Sequence, residues 1–278
     1  MVNAETKLFA ILGDPIKHSF SPQIQNKWFK KENFNGVYLA FEPAPKDFDK
    51  TIKSLKILNF CGFNITVPYK VKVMKYVDVM DKVAREIGSV NTISIKNNKF
   101  YGYNTDYLGF VQDLASKKIN LKSKNVLLIG AGGASRAIAY ALKVGQVKNA
   151  YVVNRTFPKA QELARVFKLK SIDMNKMGNF VCDCDIDLII NGSSCGMKKT
   201  DALPFEVGKV KKGLIIYDLI YNKTTPFVKF AKNNGLKFFT GDGMLIYQGA
   251  FGFKIWTGKY PDIGVAKKLL KKLFKRKE

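Results

Sequence analysis

Histidine is almost absent from this 278-residue chain, which has one, His18, beside 47 lysines and arginines. A proton relay through imidazole, or a Ser–His–Asp hydrolase, must use His18 or not exist. Cysteine is scarce too. Cys61, Cys182, Cys184 and Cys195 form no C-x-x-C pair, so the local ligand spacing of a structural zinc site is missing. They read as free, buried thiols in a reducing compartment. No apolar run reaches about 18 residues, which excludes a membrane-spanning helix. Residues 1–7 are polar and precede a short apolar run at 8–12, without the basic start and long apolar stretch of a secretory signal. The chain is read as cytoplasmic.

Acidic residues are also in short supply: 22 against the 47 cations, a formal net charge of +25. Such a surplus points first toward polyanions. Arginine, however, occurs at only five positions, 85, 136, 155, 165 and 276, leaving 42 lysines spread along the chain. Phosphate and base readout favours the planar fork of arginine, and no nucleic-acid recognition motif accompanies the charge. The surplus therefore reads as a solvated surface, with neither nucleic acid nor membrane as partner. The one basic run, 267–277, places Leu269, Leu270, Leu273 and Phe274 on one helical face. It reads as a final helix docking its leucines with its lysines in solvent, in preference to a membrane-surface helix.

What is present alternates. Residues 8–13, 37–41 and 62–67 read as strands, and 22–32 and 46–58 as helices, a mainly parallel α/β pattern. From residue 125 a second unit begins. The apolar strand Asn125–Ile129 runs into Gly130-Ala131-Gly132-Gly133-Ala134, then a helix, then a strand at 150–153, with further strands at 187–190 and 214–217. The expected fold is thus two α/β domains. Residues 1–106 with 239–278 form a substrate-binding, catalytic domain with a mainly parallel sheet, and 107–238 form a Rossmann-type domain. The active site is expected in the cleft between them.

Glycines between a buried strand and a helix let a pyrophosphate approach the helix N-terminus, where N–H groups and the dipole favour anions. The third glycine of G-x-G-x-x-G is replaced by Ser135, but strand, turn, helix and strand follow in the required order. The next strand ends Val153-Asn154-Arg155-Thr156, with Lys159 close behind. The carboxylate that would hold an NAD ribose is missing and two cations stand ready for a 2′-phosphate, so the cofactor is read as NADP. In the first domain, polar clusters fall at strand ends: Ser19 and Ser21; Asn64, Thr66 and Lys70; and Asn91-Thr92 with Asn104-Thr105-Asp106. Their short hydroxyls and amides suit a small polyhydroxylated ligand.

These segments resemble shikimate dehydrogenase over nearly the whole chain. The likeness is carried by Gly13-Asp14-Pro15 with His18-Ser19-Phe20-Ser21-Pro22, by Asn64-Ile65-Thr66-Val67-Pro68-Tyr69-Lys70, and by Val90-Asn91-Thr92. It continues in Gly102-Tyr103-Asn104-Thr105-Asp106 with Gly109-Phe110, Gly130–Ala134, Asn154-Arg155-Thr156, Asn191–Met197, and Gly243-Met244-Leu245 through Gln248. The resemblance implies a catalytic pair, Lys70 and Asp106. It implies that Ser19, Ser21 and Tyr221 meet a substrate carboxylate. Thr66, Asn91, Asp106 and Gln248 then meet ring hydroxyls, with Asn64 and Thr105 beside them. On the cofactor side it implies Gly130, Ala131, Gly132, Gly133 and Ala134, then Asn154, Arg155, Thr156 and Lys159, then Ser194, and the backbone near Leu219 and Gly241. No metal is implied.

The implied reaction is the reversible, NADPH-dependent reduction of 3-dehydroshikimate to shikimate, on the way to chorismate and the aromatic amino acids. The runner-up readings are a quinate/shikimate dehydrogenase using NAD and, from another class, a basic nucleic-acid- or membrane-surface-binding α/β protein. Two positions depart from the family pattern. Gly192 stands where alanine is common, and Lys159 where arginine is common; the second turns a bidentate phosphate contact into a point charge. Ser21 rather than threonine favours shikimate over quinate. A homodimer is a family-level expectation.

Overall fold

The computed structural model describes residues 2–177, 180–198, 200–203 and 210–275. The chain divides into two compact units, Met1–Gln112 with Leu245–Glu278, and Asp113–Met244. The sequence reading set its crossings at 106/107 and 238/239. The units divide six residues further on at each crossing, inside a helix in both cases.

The first unit holds a six-stranded sheet. Its elements are β1 (Lys7–Leu12), α1 (Ser21–Lys31), β2 (Gly36–Phe41), α2 (Phe48–Ile57) and β3 (Phe60–Ile65), then β4 (Val79–Met80), α3 (Lys82–Ile87), β5 (Thr92–Lys96) and β6 (Lys99–Tyr103). The strand order is β2-β1-β3-β5-β6-β4. The β1–β2, β1–β3 and β4–β6 pairs are parallel, whereas β5 runs antiparallel to both β3 and β6. The sheet is therefore mixed. The antiparallel part rests on a hairpin at Asn97-Asn98, both with positive φ (49° and 57°), the geometry of a two-residue turn that asparagine tolerates well. Helix α4 (Thr105–Ser116) follows and carries the chain into the second unit.

The second unit is parallel throughout. It comprises β7 (Asn125–Ile129), α5 (Gly133–Val144), β8 (Asn149–Val153), α6 (Phe157–Phe167), β9 (Lys170–Ile172), α7 (Phe180–Asp183), β10 (Leu188–Asn191), β11 (Ile215–Asp218), α8 (Pro226–Asn233) and β12 (Lys237–Thr240). Their order is β12-β11-β10-β7-β8-β9. Read from the β9 edge this is 3-2-1-4-5-6, the order of the dinucleotide-binding fold. Strand β7 is buried at all five positions, as a central strand covered on both faces must be.

Helix α9 (Asp242–Thr257) returns the chain to the first unit and α10 (Ile263–Lys275) ends it. Both complete that unit's core. Trp256 donates from Nε1 to the Ile93 carbonyl (2.9 Å) and packs on Phe9 with ring centroids 5.1 Å apart. Trp28 of α1 donates to Asp262 O (2.9 Å). In α10, Ala266 and Leu270 are buried, while Lys267, Lys268, Lys271 and Lys272 face solvent. The last helix docks its apolar face within the unit; Arg276 and Lys277 of the basic run lie outside the described residues. No helix among the described residues is long and apolar enough to cross a membrane. Cys61, Cys184 and Cys195 are free thiols, half-buried rather than buried as the sequence suggested. The Cys182 side chain lies outside the described residues.

Candidate active site

The first unit gathers a buried polar cluster around Lys70. The turn that carries it is held at both ends: Tyr69 N–H donates to Thr66 O (2.9 Å) and Val90 N–H to Lys70 O (2.9 Å). The Tyr69 ring stacks on Phe48 with centroids 4.1 Å apart, and its hydroxyl donates to Pro43 O (2.6 Å). These contacts aim the Lys70 amine inward, where it forms an ion pair with Asp106. Lys70 is 8% exposed and Asp106 4%. Burying two charges costs free energy unless they are paired and further hydrogen-bonded, and here both conditions hold.

Asp106 lies in the first turn of α4, where the helix dipole favours an anion. Asn104 caps that turn by accepting from Asp106 N (3.1 Å) and Tyr107 N (3.3 Å), and its own amide donates to Ser89 O (2.9 Å) and Oγ (3.0 Å). Asn91 is the hub. Its Nδ2 lies 2.9 Å from Asp106 Oδ1, 3.0 Å from Thr105 Oγ1 and 3.3 Å from Gln248 Oε1, while its Oδ1 accepts from Thr105 N (2.7 Å). Lys70, Asn91, Thr105, Asp106 and Gln248 thus come together from four separate stretches of sequence.

Asn64 is wired differently. Its Oδ1 accepts from Tyr38 OH (2.6 Å), and its Nδ2 donates to Asn91 O (3.1 Å) and Thr92 Oγ1 (2.9 Å). With both ends of the amide engaged inside the protein, it braces β2, β3 and β5 under the hub. Thr92 and Asn104, read from sequence as part of the polar clusters, serve here as supporting groups, and Tyr38 and Ser89 join them without having been read as candidates. Their signal is weak, since a buried tyrosine in an edge strand looks like ordinary core. Thr66 follows β3 and packs against Gly13, where a Cβ would lie 2.3 Å from Thr66 Cγ2. Ser19 and Ser21 stand at the entry to α1, with Ser21 N–H donating to Ser19 Oγ (3.3 Å). Among the described residues no hydrogen bond joins Thr66, Ser19 or Ser21 to the Lys70 cluster. Tyr221 belongs to the second unit.

Every cofactor candidate lies beyond the carboxyl end of a strand in the parallel sheet of the second unit. Gly130, Ala131, Gly132, Gly133 and Ala134 join β7 to α5. Asn154, Arg155, Thr156 and Lys159 join β8 to α6 and open it. Ser194, Leu219 and Gly241 follow β10, β11 and β12. That is where open α/β sheets bind ligands. Gly130 has φ +104°, and a Cβ there would lie 2.9 Å from Ser193 N, so only glycine fits. A Cβ at Gly132 would meet nothing within 4 Å, and Gly132 caps α5 without a side chain. The helix N-terminus thus faces open space, as a pyrophosphate cradle requires. Arg155, Thr156 and Lys159 are exposed side by side, and Asn154 Nδ2 donates to Thr156 O (2.9 Å), fixing their loop. Gly241 and Leu219 touch: a Cβ at Gly241 would lie 2.2 Å from Leu219 O. The donor set fits a dinucleotide bearing a 2′-phosphate. Among the described residues no cluster of histidine, cysteine and carboxylates could hold a metal.

Comparison with known proteins agrees with this geometry. Residues 11–93 match the shikimate dehydrogenase substrate binding domain, 113–204 the shikimate / quinate 5-dehydrogenase domain, and 241–271 the shikimate 5′-dehydrogenase C-terminal domain. A shikimate dehydrogenase (NADP(+)) of Methanococcus maripaludis strain C6 is 41% identical over 276 residues, covering 97% of this chain and 98% of the relative. The crystal structure of the shikimate dehydrogenase of Aquifex aeolicus superimposes with a TM-score of 0.90 at 38% identity, covering 96% of this chain and 98% of that one. A shikimate dehydrogenase crystallised in complex with NADP+ gives a TM-score of 0.86 at 38% identity, over 99% and 98% of the two chains. Fold and sequence agree along the length of the molecule: the chain belongs to the shikimate dehydrogenase family.

Proposed function

We propose that this chain is an NADP-dependent shikimate dehydrogenase, reducing 3-dehydroshikimate to shikimate and running the reverse oxidation. The observation that carries the reading is the buried Lys70–Asp106 pair with Asn91 bonded to the same carboxylate. It offers an ammonium donor and several hydrogen-bonding groups to a small, hydroxyl-rich ring. Asn91, Asp106, Gln248 and Thr66 hold ring hydroxyls, with Thr105 and Asn64 supporting them. Ser19, Ser21 and Tyr221 take the carboxylate. The turn Gly130–Ala134 holds the cofactor pyrophosphate; Arg155, Thr156 and Lys159 with Asn154 hold the 2′-phosphate; Ser194 and the backbone at Leu219 and Gly241 complete the cofactor side.

Bound NADPH supplies the hydride that converts the ring ketone to an alkoxide. Lys70 Nζ gives that oxygen its proton, and in the oxidation the neutral amine takes it back. Asp106 keeps the amine on the substrate oxygen and shares the neighbouring hydroxyl. Asn91 fixes the carboxylate, and with it the line of proton transfer. His18 has no part in this chemistry. The enzyme acts in the cytoplasm, with a small-molecule substrate and neither nucleic acid nor membrane as partner, and as a homodimer. Steady-state rates with shikimate or quinate, each with NADP+ or NAD+, test the reading. The shikimate and NADP+ pair should give the highest kcat/KM; a preference for quinate with NAD+ would replace it with the runner-up.

A further inference from the structure

Among the described residues of the second unit four polar side chains have no exposed surface, Ser135, Asn191, Asp218 and Thr225, and the last three form one network. Asn191 and Asp218 are the last residues of β10 and β11 and are register partners across that parallel pair. Asp218 Oδ1 accepts from Asn191 Nδ2 (2.9 Å) and from Ile220 N (3.1 Å), and its Oδ2 accepts from the Thr225 hydroxyl. Thr225 in turn caps α8 by accepting from Val228 N (3.2 Å). The other end of Asn191 is equally occupied. Its Oδ1 accepts from Ser193 N (3.1 Å) and Ser193 Oγ (2.7 Å), and its Nδ2 also donates to Cys195 O (3.0 Å). Gly196, at φ +102°, closes that turn against Thr225, where a Cβ would lie 2.9 Å from Thr225 Cβ.

Among the described residues Asp218 forms no ion pair. A buried carboxylate held only by hydrogen bonds is costly; burial pushes its pKa up against the pull of Thr225, Ile220 N–H and Asn191. Apolar side chains would join two strand ends at less cost. What a carboxylate adds is direction, since its three donors come from three different segments. Those segments carry Ser194 on one side and Leu219 on the other, both assigned to the cofactor in the proposed function. We propose that Asp218, acting through Asn191 and Thr225, is a positioning residue that sets the Ser193–Gly196 and Leu219–Tyr221 loops in the geometry that receives NADP. This rests on the cofactor reading above and deepens it.

The test is calorimetric titration of the full-length chain with NADP+, beside a thermal melt. Asp218→Asn keeps the shape but replaces one acceptor oxygen with a donor. Thr225→Val removes one hydroxyl at constant volume, and Thr225→Ser restores it. Asp218→Asn and Thr225→Val should each weaken NADP+ binding about tenfold, the scale of a lost hydrogen bond to a charged group, and Thr225→Ser should recover most of it. If Asp218→Asn fails to fold, the valine and serine pair carries the test. NADP+ affinity equal to the parent's in folded variants whose melting temperatures fall would overturn the proposal, leaving a node that serves stability alone. Absence of NADP+ binding by the parent chain would instead overturn the cofactor reading.

Discussion

Lys70 and Asp106 bring one charge of each sign into a site that water scarcely reaches, and each depends on the other for its burial. Asp106→Ala should leave the lysine charge buried and unpaired, lowering stability by about 3–5 kcal/mol in urea titration. An unchanged midpoint would mean that the pair is far better solvated than it looks. At the proposed 2′-phosphate site, Arg155 offers a planar fork and Lys159 a point charge. Arg155→Ala should cut the NADP+ over NAD+ preference in kcat/KM by about tenfold or more, the value of one charge-assisted contact, and Lys159→Ala by less. Equal preferences in parent and Arg155 variant would remove Arg155 from the phosphate site. The meeting of Lys70 with Asp106 was legible through the family resemblance, and the place of Arg155 after β8 through the order of strand, glycine turn, helix and strand. The bracing beneath them was not. Tyr38 lies 26 residues from Asn64, and only the pairing of β2, β1 and β3 brings them together.

Among the elements, the four central strands of the second unit's parallel sheet were readable, since their apolar runs alternate with helices and glycine turns, whereas the short edge strands β9 and β12 were not. The first sheet was less so. The antiparallel β5–β6 hairpin was not read within the mainly parallel pattern, because its signal, Asn97-Asn98 between two short strands, is weaker than a glycine turn. Close approach explains a further element. A Cβ at Gly62 would lie 2.3 Å from Trp256 Nε1 and 2.7 Å from Ile93 O. Gly62→Ala should therefore push α9 off β3 and β5 and lower the melting temperature by several degrees; an unchanged melt would show that Trp256 can move freely. A strand-joining carboxylate gives a pH signature. Burial raises the Asp187 pKa, but the Asn125 N–H at 2.9 Å and Lys211 at 2.9 Å outweigh it, and the net value lies below the ordinary 3.8. Its contribution to stability is thus present above pH 3.8 and lost as the pH falls through the lower folded value. Asp187→Asn should be less stable than the parent at neutral pH, with the gap closing in acid; a gap that persists at low pH would contradict the assignment.

At the scale of the molecule, the net charge of +25 is carried mostly by lysine on a solvated surface. In the proposed function its share is small: Arg155 and Lys159 for a phosphate, Lys70 for a proton. Substrate and cofactor are both anions, so the remaining field should speed their arrival. The association rate of NADPH should fall as salt shortens the screening length from about 30 Å to a few ångströms, and a salt-independent rate would deny the surplus that role. The sequence reading already set residues 239–278 beside 1–106, and the first unit is discontinuous in that sense, Met1–Gln112 with Leu245–Glu278. Helices α9 and α10 belong to it through Trp28, Trp256 and Leu270, contacts that sequence spacing alone does not announce. The proposed reaction turns on Lys70 as the proton donor. The most direct measurement is NADP+-dependent oxidation of shikimate, followed at the reduced-nicotinamide absorbance, for the parent chain and Lys70→Met. The parent should turn over, and the variant should show a kcat about 10²–10⁴-fold lower, with NADP+ affinity and the KM for shikimate little changed. Near-parental kcat in Lys70→Met would contradict it.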